Sequence, residues 1–91
     1  MQPTIEHRAD RRRFVASLDG AGGRLEYRLG PGVMTIVHTE VDPALRGRGV
    51  AGALVRAAVE HARSAGLRVD PACSYARSYI DRHAELASLR L

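Results

Sequence analysis

The apolar residues of this chain change their period once. Up to Val41 they recur at every second position, and from about Arg48 they recur at helical spacing. The switch takes place across Leu45-Arg46-Gly47-Arg48-Gly49-Val50-Ala51-Gly52. A change from period 2 to period 3.6 restricts the chain to strands followed by a helix laid back on them. Three segments carry the first period. Arg12–Leu18 puts Phe14, Ala16 and Leu18 on one face, and Arg24–Leu29 puts Leu25, Tyr27 and Leu29 on its buried face. Val33–Val41 has Met34 and Ile36 on one face and Val33, Val37 and Val41 on the other, as expected of a central strand. Asp19–Gly23 and Gly30-Pro31-Gly32 are short turns, so an antiparallel meander is expected.

Beyond the loop, Val50, Leu54 and Ala58 join Ala51, Val55, Val59 and Ala62 in an apolar stripe along a helix over roughly 48–65, with Gly66 at its C-terminal cap. Leu67-Arg68-Val69 then reads as a fourth strand ending at Asp70-Pro71. It should run parallel to the third, because a right-handed crossover joins them. Ser74 can cap a second helix running to about His83, with Ala76, Tyr79 and Ile80 inward. Residues 1–11 read as a polar lead-in. The expected product is one α+β domain over residues 1–91.

Gly47–Gly52 spells G-x-G-x-x-G, the fingerprint of a dinucleotide fold, and Asp70 even supplies an acid 18 residues past Gly52. Three features oppose that reading. Five residues separate Val41 from Gly47 where the fingerprint needs a strand running directly into the first glycine. A meander precedes the unit, and only about twenty residues follow Asp70. Glycines at the mouth of a helix also form another kind of phosphate cradle. Backbone approaches the anion closely, the free N–H groups of the first turn point at it, and here Arg46 and Arg48 can add charge-assisted bonds.

The order of these features resembles the GNAT N-acetyltransferase superfamily. Strand, short loop, R-G-x-G-V-A, long amphipathic helix and short strand match its signature, with Gly47 and Gly49 at the two small positions and Ala44 where Gln or Arg is usual. The combination His38-Thr39-Glu40-Val41, Leu45–Ala51, Pro71-x-Cys73-Ser74-Tyr75, Tyr79 and Arg82-His83-x-Glu85 looks like the very small GNAT-like proteins of roughly this length, except for Ala84 where proline is typical. The resemblance implies a minimal GNAT-like fold with acetyl-CoA as co-substrate. It places the pantetheine arm along Thr39–Val41, the pyrophosphate on Arg46, Gly47, Arg48, Gly49, Val50 and Ala51, and the acetyl group where the third and fourth strands part. Ser74 and Tyr75 fall beside that site. Tyr79 stands at the usual position of the tyrosine that protonates the leaving thiolate, with Tyr75 as competitor.

Acyl transfer to an amine needs a base, an oxyanion donor and an acid. The N–H of a strand-end residue near Val41 is a candidate donor. His38 and Glu40 share one strand face, and either can be the base. Each is also an ordinary strand residue if packed or solvated. Cys73 lies between a strand and a helix N-terminus, where a thiolate is favoured; it can accept the acetyl group, line the thioester pocket, or be a small buried hydrophobe. His7 and His61 read as solvated, and His83 and Glu85 as helix-end and surface features. The expected activity is N-acetyl transfer, with a non-catalytic CoA-binding module as the alternative. Since the first strand is read as starting near Arg12, the N-terminal helices that enclose the acceptor in larger relatives are expected to be absent. The open groove that results suits a protein or peptide amine.

Composition excludes other classes. One cysteine permits neither an internal disulfide nor a four-cysteine zinc site, and the four histidines show no metal spacing, so no metal is expected. No apolar run approaches the roughly 20 residues of a membrane span, and Met1–Arg13 lacks the apolar core of a signal peptide. A cytoplasmic protein without a membrane partner is therefore expected. Net charge is +4, carried by arginine alone, but one Phe and three Tyr offer little for base stacking, which makes nucleic acid a poor candidate partner.

Overall fold

The computed structural model describes residues 2–91. The elements in order are β1 (Thr4–Arg8), β2 (Arg13–Leu18), β3 (Ala21–Gly30), β4 (Val33–Val41), α1 (Val50–Ser64), β5 (Arg68–Pro71), α2 (Ser74–Asp81) and α3 (Ala84–Ala87). The strands form one sheet in the order β1-β2-β3-β4-β5, antiparallel except for the parallel pair β4–β5. This is the expected α+β plan with one strand and one helix more than the sequence patterns indicated.

The added strand corrects the reading of residues 1–11 as a lead-in. Thr4–Arg8 pairs with Arg13–Ser17, turning through a short 3-10 segment at Ala9–Arg11. Its inward residues are Ile5 and His7, too few to announce a buried strand. His7 earns its place through tertiary contacts. Its ring stacks on Phe14 at 4.1 Å, meets His61 of α1 edge-on at 4.3 Å, and bonds the Tyr27 hydroxyl through Nε2 at 2.6 Å. His7 and His61 are thus partners across the core edge, not two solvated side chains.

Asp19-Gly20, both in the left-handed region, make a two-residue turn that carries Leu18 directly onto Ala21. β3 therefore starts earlier than its apolar alternation suggested. It also outlasts its burial, since Leu29 is 44% exposed. The decisive irregularity lies in β4. Glu26 pairs with His38 while Tyr27 pairs with Ile36, so Val37 is an extra residue, a β-bulge. Up to the bulge, Met34 and Ile36 face the core and are fully buried. After it, Thr39 pairs with core-facing Leu25, and so faces the core side, while His38 and Glu40 face the other side beside Glu26 and Arg24. Unbroken alternation would have put His38 and Glu40 on the face of Met34 and Ile36.

α1, α2 and α3 all lie against the core face. Leu54, Val55, Ala58, Val59 and Ala62 of α1 are fully buried against Leu25, Met34, Ile36 and Val69, each large side chain contributing about 1.5–3 kcal/mol. Ser74 does not cap α2; it is the first helical residue, and Cys73 is the N-cap. α2 stops at Asp81, and α3 follows after His83, burying Leu86. Among the described residues, the opposite sheet face carries no helix.

α1 and α2 meet at Gly52. A Cβ there would fall 2.5 Å from the Tyr79 ring, which is stacked on His83 at 4.0 Å and so is not free to swing aside. Gly52→Ala is expected to lower stability by about 1–2 kcal/mol in urea unfolding, overpacking outweighing the better helix propensity of alanine. A pH effect is expected from His7. Burial, then the neighbouring His61 charge, hold it below its ordinary 6.5. Folding thus disfavours the protonated ring, so its contribution is present above about 6.5 and is lost as pH falls below that. Melting temperature followed from pH 8 to 5 should show this decline, and His7→Gln should flatten it.

Candidate functional site

The loop after β4 is built from the chain outward. Asp42 accepts the N–H of Ala44 on Oδ1 at 3.1 Å, which starts a 3-10 turn at Pro43–Leu45, and buried Leu45 pins that turn to the core. Gly47 and Gly49 follow, both at φ +77°. Neither position lacks space for a Cβ, so glycine is needed there for conformation. They turn the chain so that α1 begins at Val50 with the N–H groups of its first turn uncapped by any side chain. A cavity of about 270 Å³ opens at this mouth, lined by Val41, Leu45, Arg46, Gly47, Gly49, Val50, Ala51 and Tyr75. Seven of the ten residues expected to bind the co-substrate meet there. Arg48 stands apart, donating to Asp19 Oδ2 of the β2–β3 turn at 3.0 Å. That contact braces the loop against the sheet. Only a turn role was legible for Asp19 in the sequence.

The second part of the site is a parting of strands. β5 pairs with β4 only as far as Ile36–Pro71, and Cys73 N then donates to Ile36 O at 2.9 Å. Past this point the strands separate. Asp42 N donates to Gly22 O, so in the antiparallel ladder Glu40 and His38 bond toward β3. The N–H and C=O groups of Thr39 and Val41 alternate with these and point into the gap. The gap is therefore edged by an unpaired strand segment running from Cys73 toward the glycine loop.

Cys73 sits at the head of the gap, partly buried, with Sγ donating to Thr39 Oγ1 at 3.7 Å. Burial pushes its thiol up, but the N–H of Ala76, the Thr39 hydroxyl and the N–H groups of Tyr75 and Thr39 together draw it below its ordinary value. Sγ closes no capping hydrogen bond in this conformation, yet the amides of Tyr75 and Ala76 face it from the start of α2. Tyr75 is a member of the cavity wall. Burial, then Tyr79, then Cys73 raise its hydroxyl above the usual tyrosine value against the opposing pull of Arg82, so it stays protonated. Tyr79 lies one turn further along, 6.1 Å from Tyr75 between ring centres. It fills the notch at Gly52, and its hydroxyl heads the contacts, followed by Glu85, that favour the charge of Arg56. Ser74 is exposed at the start of α2.

His38 and Glu40 are a pair, Nε2 to Oε1 at 3.0 Å, on the helix-free face. Their hydrogen bond, then the Arg24 charge, hold Glu40 below the usual carboxylate range. The pair ends a chain of ion pairs: Arg13 meets Glu26 at 3.0 Å, Arg24 meets Glu26 at 3.8 Å, and Arg24 meets Glu40 at 3.4 Å. A hollow of about 480 Å³ lies beside it, between Arg13, Arg24, Glu40 and Asp42. The sheet thus divides the four expected catalytic residues: Cys73 and Tyr79 lie on the helix side, and His38 and Glu40 on the open side. Among the described residues, no three His, Cys, Asp or Glu side chains cluster as a metal site.

Three likenesses match this geometry. A family model described as GCN5-related N-acetyl-transferase matches residues 13–89. Protein NATD1 of Homo sapiens and of Mus musculus are each 35% identical to the chain over 80 residues, covering 84% of it and 70% and 72% of those proteins. The solution NMR structure of a GCN5-like candidate N-acetyltransferase from Staphylococcus aureus aligns with TM-score 0.78 at 28% identity, covering 97% of this chain and 87% of that one. With a glycine loop at the mouth of α1, an unpaired edge on β4 and a family match from β2 to the end of α3, the chain belongs to the GCN5-related N-acetyltransferase family.

Proposed function

We propose that this protein transfers an acetyl group from acetyl-CoA to an amine. The observation that carries the reading is the unpaired edge of β4 at Thr39 and Val41, which leads from Cys73 straight to the loop cavity. The fit to the co-substrate is one of shape and charge. Two outward amides and carbonyls suit a pantetheine arm bound as an added strand. Arg46 and the free N–H groups of Val50 and Ala51 suit a pyrophosphate. When bound, acetyl-CoA supplies an activated carbonyl and a thiolate leaving group.

The remaining roles fall to the chain's own side chains. The amine approaches from the open face, where His38 stands. Nε2–H donating to Glu40 fixes the tautomer that leaves Nδ1 free to take the amine proton. Of the two outward amides, the Thr39 N–H, which faces Cys73 Sγ at the head of the gap, is the donor for charge developing on the acyl oxygen. Tyr75, held protonated beside the cavity, gives its proton to the departing sulfur. Tyr79 is assigned to holding α2 on α1, because its ring is wedged at Gly52. Cys73 closes the head of the gap. Its lowered thiol supports one variation, in which the thiolate attacks the thioester carbonyl, CoA leaves as thiolate, and the amine then displaces the acyl group from Sγ.

Titration calorimetry should separate the two arginines. Arg46→Ala is expected to weaken acetyl-CoA binding about tenfold, the worth of a charge-assisted bond, and to leave pantetheine binding unchanged. Arg48→Ala should do less, since that side chain is engaged by Asp19. In steady-state assays His38→Ala and Tyr75→Phe should each lower kcat by about 100-fold, whereas Tyr79→Phe, which keeps the wedged ring, should leave kcat nearly unchanged. Intact-mass spectrometry after mixing with acetyl-CoA reads the role of Cys73. A single added acetyl, absent in Cys73→Ala, supports the covalent variation, and full turnover by Cys73→Ala rejects it. Tight CoA binding without transfer to any amine would leave a CoA-binding module instead.

A further inference from the structure

The hollow on the open face is not accounted for by acetyl-CoA. It lies across β2, β3 and the end of β4, on the side of the sheet away from the glycine loop, with a volume of about 480 Å³. That is within the range of small-molecule pockets. Its floor exists because Gly22 presents no side chain to this face of β3, where its neighbours two residues to either side are Gly20 of the turn and Arg24. Val15 and Pro43 give it a short apolar wall.

The charges around it stand on two sides, bridged by the Arg24–Glu40 ion pair at 3.4 Å. Arg13 of β2 and Arg24 of β3 form one wall, and Glu40 and Asp42, at and just beyond the end of β4, form the other. Arg13 commits Nη2 to Glu26, and Arg24 reaches Glu40 at 3.4 Å and Glu26 only at 3.8 Å, so both guanidiniums retain donors. Asp42 spends one carboxylate oxygen on its own turn and keeps the other. A pocket with one cationic and one anionic wall favours a ligand that carries both charges. Arginine forks match a carboxylate, and a carboxylate pair matches an ammonium. The anionic wall is the one nearer His38, which bonds Glu40.

We infer that this hollow takes the acceptor, and that the acceptor is a small zwitterionic amine of the free amino-acid class. Its carboxylate lies on Arg13 and Arg24, and its amine lies on the Glu40 side within reach of His38. This rests on the acetyl-transfer reading for the purpose of the pocket, but not for its ligand chemistry. A monoamine makes no use of the donors that both arginines retain. An amide or an internal peptide residue has no carboxylate to offer them.

The test is binding, read apart from transfer. The full-length protein is titrated with a panel of free amino acids and with their amides, with and without acetyl-CoA, and backbone amide shifts are followed by NMR. Saturable shifts at Gly22, Gly23 and Asp42 are expected for a free amino acid, with affinity about tenfold weaker for its amide. Arg13→Gln and Arg24→Gln should each abolish that preference while retaining the affinity for acetyl-CoA; the second variant carries the test if the first fails to fold. Equal affinity for acid and amide, or no shift at these amides with any amino acid, overturns the assignment. Amino-acid binding without acetyl transfer would remove the transferase reading and leave the pocket. Transfer to amides and peptides as readily as to free acids would do the reverse.

Discussion

The structure turns on the rung at which β4 and β5 stop pairing. Cys73 N takes the carbonyl of Ile36, and no further ladder bond joins the two strands. A parallel pair of only four residues would be a weak feature in itself. Here it is fastened by what it carries: Val69 and Pro71 are buried beneath the helices, and Val69 also bonds the C-terminal residues Leu89 and Leu91. Because the pairing ends early, the amides and carbonyls of Thr39 and Val41 keep an open side. In an unliganded sheet such groups are satisfied by water. They are also the template onto which an extended ligand can pair.

The bulge at Val37 gives that gap its two sides. It lies just past Ile36, the last β4 residue paired to β5, and reverses the facing of every later β4 residue. Thr39 thereby turns toward Cys73 and the helices, while His38 and Glu40 turn toward open solvent. Cys73 and the His38–Glu40 pair are thereby separated by one strand thickness. In the transfer proposed above, a base on the helix side would compete for space with the long arm of a thioester; on the open side it would meet the incoming amine.

Much of this was legible in the residues. The meander, the long helix and its apolar face follow from periods of 2 and 3.6 and from turn chemistry. The loop of Gly47 and Gly49 follows from its place ahead of a helix. The distinction from a dinucleotide fold followed from five residues of spacing, which the structure fills with the Asp42-capped turn. Other features left no such mark. Thr4–Arg8 looks polar, because an edge strand needs only two inward side chains and one of them is a histidine. His7 is packed against Phe14, Tyr27 and His61, which lie 7, 20 and 54 positions away. Leu29 sits where alternation predicts burial, but at a strand end that no helix covers.

The sequence by itself determined the order of elements, the core face of α1, and the glycine loop at its mouth. These depend on local conformational preference and on periodicity, which neighbours in the chain set. Tertiary structure alone decided that Cys73 and Tyr79 lie on one side of the sheet and His38 and Glu40 on the other. A one-residue bulge has no spelling of its own in Ile36-Val37-His38, and it arises only where β4 must keep its register with β3. It also decided that Arg48 braces the loop through Asp19 while Arg46 remains at the cavity, and that Gly52 is required by the ring of Tyr79. Those outcomes rest on distances between residues far apart in sequence, which exist only once the sheet and its helices have closed.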